Sequence, residues 1–315
     1  MLGRTANDLY WLSRYLERAE NMARLVDVGY RLILLPQGGQ AADHDWQSTL
    51  QSAGCEQGYA AKYEMRNTRD IVNFLIFDAE NPSSIRSCLD AARRNGRAQR
   101  TALTREMWES LNSSWIEFTR MKPESLDSGG LPKFLGWIKE RSAAYRGALL
   151  NTILRNDTYF FSQLGTFIER ADNTARILDV KYYVLLPRPD MVGSGVDSAQ
   201  WATILRSVSA HRSYRWVYRE NYQPWNVAEF LLLNAKMPRS LCSSYAEIVS
   251  CLAALEELYG SKAGCAGRAN ETYAMLDRSD ISTIYQSGLH EFLQSFIDRN
   301  NRLGADLANS YHFNS

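Results

Sequence analysis

"YLERAENMARLVDVGY", residues 15–30, is answered by "FIERADNTARILDVKY", residues 167–182, in one register 152 positions further on. Glu-Arg-Ala, Asn, Ala-Arg, Asp-Val and Tyr coincide, and a shared order of charged and polar residues is more than similar composition would give. Leu9, Leu12, Leu16, Ala19, Ala23, Val26, Tyr30 and Ile33 recur at alternating steps of three and four. Phe161, Leu164, Ile168, Ala171, Ala175, Leu178, Tyr182 and Leu185 repeat those steps. Each set is one apolar stripe of a long helix, about seven turns of it. Alanine in mid-stripe predicts that another helix comes close there. Thr5-x-x-Asp8 reads as a capping box at the first start, and Pro36 and Pro187 as stops.

The repetition extends beyond one helix. "FLIFDAENPSSI" (74–85) parallels "FLLLNAKMPRSL" (230–241), and "WQSTLQSA" from Trp46 parallels "WATILRSVSA" from Trp201. The offsets are close enough to describe one unit of about 155 residues used twice. Pro82 and Pro238 are expected in the first turns of their helices. Further helices are expected over 98–121, 131–154, 268–279 and 282–312, and strand-like alternation is nearly absent. "VGSGVDS" (192–198) and "LDSGG" (126–130) read as loops, the first lacking the lysine of a phosphate cradle. The expected fold is all-α, a helical bundle of two similar halves, 1–150 and 151–315, forming one compact body with a pseudo-two-fold.

Composition narrows the function classes. The 315 residues carry 36 basic and 35 acidic side chains, a formal charge of +1, which gives no reason to expect a nucleic-acid partner. No apolar run spans a bilayer and no signal-type segment opens the chain, so no membrane partner is expected. Cys55, Cys88, Cys242, Cys251 and Cys265 are scattered without a CxxC pair, which points to a reduced, cytoplasmic setting.

The polar half of the motif divides in two. Glu20, Arg24 and Asp27, copied as Asp172, Arg176 and Asp179, form a ladder at i,i+4 and i,i+3 that supports a helix. Glu17-Arg18 and Glu169-Arg170 have no common partner within their own helix, because adjacent residues do not face each other. Glu17 meets acidic Glu20 at i+3; Arg14 could serve Glu17, but its aligned counterpart is Thr166. Three readings follow: an ion-pair network that fixes packing, a polar ligand site with arginine forks, or catalysis by a glutamate base whose pKa is raised by burial and by its acidic neighbour.

The motif acids lack the histidine of a carboxylate-bridged site, and His44, His211, His290 and His312 are isolated. No metal or cofactor is expected, with a carboxylate-held Mg²⁺ left open. Arg93, Arg94, Arg97, Arg100 and Arg105 are expected along one helix over 91–112, with Gly96 as a break in it.

"NDLYWLSRYLERAENMARLVDV", "FDAENPSSIRSCLDAAR", "EMWESLN", "LGTFIERADNTARILDVKYY" and "SVSAHRSYRWVYR" together resemble the bacterial alpha-E domain family, helical and named for its Glu-Arg motif. The likeness runs from Leu2 to about Arg302. It marks Glu17, Arg18, Asn21, Arg24, Glu169, Arg170, Asn173 and Arg176 as the candidate ligand- or partner-binding residues. It implies a companion of a circularly permuted ATP-grasp protein that activates a carboxylate and joins it to an amine. A transglutaminase-like peptidase homologue and a peptide substrate are the further implied partners. The leading expectation is an accessory protein of such an amide ligase system; the alternatives are an acyl- or amide-transfer enzyme and a purely structural scaffold.

Overall fold

The computed structural model describes residues 1–35, 42–65, 67–126, 129–183, 194–219 and 221–313, and among them every regular element is helical. In the first half these are α1 (Gly3–Ile33), α2 (Ala42–Ser52), α3 (Glu56–Ala60), α4 (Thr68–Ile76), α5 (Ile85–Ala98), α6 (Arg105–Phe118) and α7 (Gly130–Thr152). The second half has α8 (Asp157–Tyr183), α9 (Gly195–Ser207), α10 (His211–Tyr218), α11 (Pro224–Leu232), α12 (Leu241–Tyr259), α13 (Cys265–Arg278), α14 (Ile281–Ser287) and α15 (Leu289–Ser310).

The two motif helices, α1 and α8, pack on each other more extensively than any other pair. Around them the neighbours correspond: α1 lies on α2, α5 and α7, as α8 lies on α9, α12 and α15. The duplication is an inference carried forward from the sequence, and these pairings are what it accounts for. Enclosure on nearly every side explains why α1 and α8 bury polar as well as apolar faces. Ala19, Ala23, Ala171 and Ala175 are all buried. The stripe ends sooner than expected at its far end in the second copy: Tyr182 is exposed and stacks on His290 at 3.8 Å between ring centroids. Leu185, Pro36, Pro187 and the His44 side chain lie outside the described residues.

The two helices come close at Gly165 on α8, which lies against the Tyr10 carbonyl and 3.2 Å from Ser13 Cβ, measured from where its own Cβ would stand. A methyl group there meets backbone, which cannot swing aside. Gly165→Ala is therefore expected to destabilise the fold by about 1–3 kcal/mol despite alanine's better helix propensity. Urea unfolding checks it; unchanged or increased stability would mean the crossing is loose.

Several boundaries differ from those the sequence suggests. α1 starts at Gly3 with no side-chain cap, so Thr5 is already inside the helix. Pro82 and Pro238 stand in the turns before the N-caps, and the aligned Ser84 and Ser240 cap α5 and α12 by accepting from the backbone of Ser87 and Ser243. The arginine run is divided: α5 ends at Ala98, Arg100 lies in the following turn and Arg105 opens α6. Gly96 does not break α5; a side chain there would press on Leu111, 2.5 Å away. The expected final helix is two, separated by Gly288, whose φ of +95° ends α14. In "VGSGVDS", Ser194 is the N-cap of α9 and Gly195 onward is helix, while 192–193 lie outside the described residues.

Candidate functional site

Two adjacent residues on a helix point in different directions, so a Glu-Arg pair cannot close on itself. The crossing of α1 with α8 resolves this by exchange. Arg170 grips Glu17 through Nε to Oε1 (3.0 Å) and Nη2 to Oε2 (3.2 Å). Arg18 grips Glu169 in the same two-pronged way, at 2.6 and 3.0 Å. Both carboxylates are almost sealed from solvent, Glu17 at 1% exposure and Glu169 at 4%. The partners missing within each helix are supplied by the other one.

Beyond that reciprocal core the two ends differ. Around Glu17, Arg146 from α7 donates at 2.9 Å and Arg239, in the turn before α12, at 3.1 Å. Both arginines also bond Glu20, which in addition holds Arg24 at i,i+4 (2.6 Å). Arg24 continues to the Ser207 carbonyl and to Ser209 Oγ. This end is closed.

Around Glu169 the corresponding arginines are absent. The residue aligned with Arg239 is Ser83. Ser142 on α7 donates to the Leu16 carbonyl and Asn300 on α15 to the aligned Ile168 carbonyl, so Arg146, four residues past Ser142, corresponds to Gly304. Arg14 takes up part of the role, donating Nε to Glu169 at 2.8 Å and lying over the Trp11 ring at 4.6 Å. What remains is a cleft of 260 Å³ lined by Arg14, Arg18, Asn21, Ser83, Asn173 and Arg176 among others. Asn21 donates to the Glu169 carbonyl, but its Oδ1 is buried with no partner, and so is Asn173 Nδ2.

Electrostatics separates structural from reactive roles. Burial pushes the Glu169 carboxyl up, but Arg18 and Arg14 outweigh it and hold the group down at about 2. Burial likewise opposes ionisation of Glu17, and Arg170, Arg146 and Arg239 overcome it, leaving the carboxyl below the usual range. Glu20 is pushed up by burial and by Glu17, yet Arg239, Arg146 and Arg24 win again. The raised glutamate pKa that acidic neighbours suggest is thus reversed by arginines from other helices. Arg239, desolvated in the closed end, falls to about 10.

Of the eight candidates, Arg18, Asn21, Glu169, Asn173 and Arg176 come together at the open cleft; Glu17 and Arg24 lie at the closed end, and Arg170 belongs to the crossing. The i,i+4 rungs form, with Arg176 on Asp172 at 2.6 Å. The i,i+3 rungs do not: Asp27 binds Arg31 and Lys139, and Asp179 binds His290 and Gln294. Arg14 serves Glu169, not Glu17. Sequence reasoning missed Arg146, Arg239 and Ser83. The alignment of "NPSSI" with "MPRSL" displays the Ser83–Arg239 exchange, whereas nothing local marks Arg146. The five cysteines are buried and unbonded to one another. Among the described residues no three of His, Cys, Asp and Glu gather as a metal-holding group, and no helix is long and apolar enough to cross a membrane.

Compared with known proteins, residues 1–312 match the model of the family Alpha-E, described as a predicted alpha-helical domain with a conserved ER motif. No curated protein and no solved structure matches.

Proposed function

The chain belongs to the Alpha-E family, and from that premise we propose that it is a non-catalytic companion of an amide-bond-forming system, binding a circularly permuted ATP-grasp ligase or that ligase's peptide substrate. A transglutaminase-like peptidase homologue is the second partner in this reading, and a bacterial cytoplasm its setting. Residues 1–150 and 151–315 are read as two halves of one body. The observation that supports binding over catalysis is the state of the motif glutamates. Each is a buried carboxylate clasped by arginines, and a carboxyl held as low as Glu169 is too weak a base to take a proton from a substrate near neutral pH. An acyl-transfer role would therefore need a base outside the Glu-Arg pairs. A pure scaffold accounts for the closed end, but it leaves the cleft and its two unmet amide atoms without a use.

Co-purification with a circularly permuted ATP-grasp protein from the same source tests the reading. We expect a complex that survives gel filtration at micromolar concentration, formed without any turnover by this chain alone. Separate elution of the two proteins, with and without peptide substrate, would overturn it.

A further inference from the structure

The difference between the two motif ends is chemically specific. Exchange of Arg239 for Ser83 removes a guanidinium and the volume of a long side chain from the second end, and exchange of Arg146 for Gly304 removes another. In the closed end those two side chains bridge both acids. In the open end Arg14 uses Nε and Nη1, on Glu169 and Tyr10, and Arg18 uses Nε and Nη2, both on Glu169. Arg14 Nη2 and Arg18 Nη1 thus make no hydrogen bond to the described residues. The cleft holds three guanidiniums, of Arg14, Arg18 and Arg176, against two carboxylates, Glu169 and Asp172, which leaves one positive charge unmatched. Arg18 and Arg176 keep 25% and 29% side-chain exposure, so solvent reaches them.

We infer that this cleft receives a carboxylate together with the N–H beside it, as presented by the C-terminal residue of a peptide. The inference rests on the binding role proposed above and names its ligand. The carboxylate meets the free Nη groups of Arg14 and Arg18, which suit planar oxyanions. The neighbouring N–H goes to Asn21 Oδ1, an acceptor buried without a partner, and Asn173 Nδ2 donates to the ligand's carbonyl or second carboxylate oxygen. A simple oxyanion without O–H groups, such as sulfate, would satisfy only the donors and leave Asn21 Oδ1 unmet, a loss that buried polar atoms feel strongly. The volume of 260 Å³ sits below the range of about 300–1,000 Å³ typical of drug-sized sites, which favours one terminal residue over a folded segment.

Isothermal titration of the full chain with L-alanyl-L-alanine, its C-terminal amide and sulfate tests the inference. We expect the dipeptide acid to bind at least about tenfold more tightly than the amide, and sulfate to bind more weakly than the acid. Ser83→Arg refills the cleft as Arg239 fills the other end and should abolish binding. The hydrogen bond here from the Ser83 backbone N–H to Asn81 Oδ1 does not involve the side chain and is kept. Equal binding of acid and amide, tighter binding of sulfate, no binding of the acid, or binding untouched in a folded Ser83→Arg protein would each overturn it. The comparison of acid with amide needs no variant and stands even if Ser83→Arg fails to fold. The two readings also separate. Loss of dipeptide binding with ligase association intact refutes the ligand assignment, whereas dipeptide binding without ligase association refutes the partnership.

Discussion

Replacing Glu17 with glutamine is expected to lower unfolding free energy by about 3–5 kcal/mol, because it leaves a buried set of cations short of a counter-charge. Arg146, Arg170 and Arg239 all donate to Glu17, and only Glu20 would remain to face the first and last of them. The size of the effect comes from the stranded guanidiniums and not from the net worth of the original pairs, which desolvation largely offsets. The same logic fixes the control. Glu17→Gln combined with Arg146→Met removes one stranded cation along with the anion, so the double variant should be more stable than Glu17→Gln alone. Urea denaturation of the three proteins measures both effects. A loss under about 1 kcal/mol, the scale of exposed ion pairs, would show that the site is solvated after all.

Acid should unfold the protein for a related reason. A carboxyl whose folded pKa lies below its unfolded value stabilises the fold fully above the unfolded value and loses that contribution as pH falls towards the folded one. For Glu169 the two values are about 4.5 and about 2, so its contribution of about 3 kcal/mol is present above pH 4.5 and drains away between pH 4.5 and 2. Glu17, also held below the usual range, adds in the same direction. Stability measured through that window should fall steeply in the parent protein. Glu169→Gln should be less stable near neutrality yet show a flatter decline, since its side chain takes up no proton. Parallel curves for the two proteins would mean that other carboxylates govern acid unfolding.

The long helices were legible because their apolar stripes run for several turns and the polar order repeats with them; both motif helices follow from that pattern. Their surroundings were less so. Gln99 and Gly288 end helices that the periodicity carries straight through: at Gly288 a one-residue change of backbone direction leaves the spacing of apolar residues almost undisturbed, and after Ala98 the chain turns over residues 99–104 before α6 begins. Glycine could not be read alone. Gly96 accommodates Leu111 inside a helix, Gly165 lets a neighbouring backbone approach, and Gly288, unlike those two, has positive φ. At the site, the lack of local partners for Glu17 and Arg18 correctly pointed away from their own helix. The further partners of Glu17 were hidden, because Arg146 and Arg239 lie on segments whose placement only tertiary packing decides. The raised pKa that the catalytic reading requires fails for that reason: the acidic neighbour is visible in sequence, the surrounding arginines are not.

The exchange of grips between α1 and α8 bears on how this chain can vary. Position 17 answers to 170 and position 18 to 169, over separations of 153 and 151 residues. A charge altered in one motif strands its partner in the other, not the residue beside it. The two stretches are thereby coupled across the crossing, so that a charge change in one is felt in the other, even though the ends they build differ.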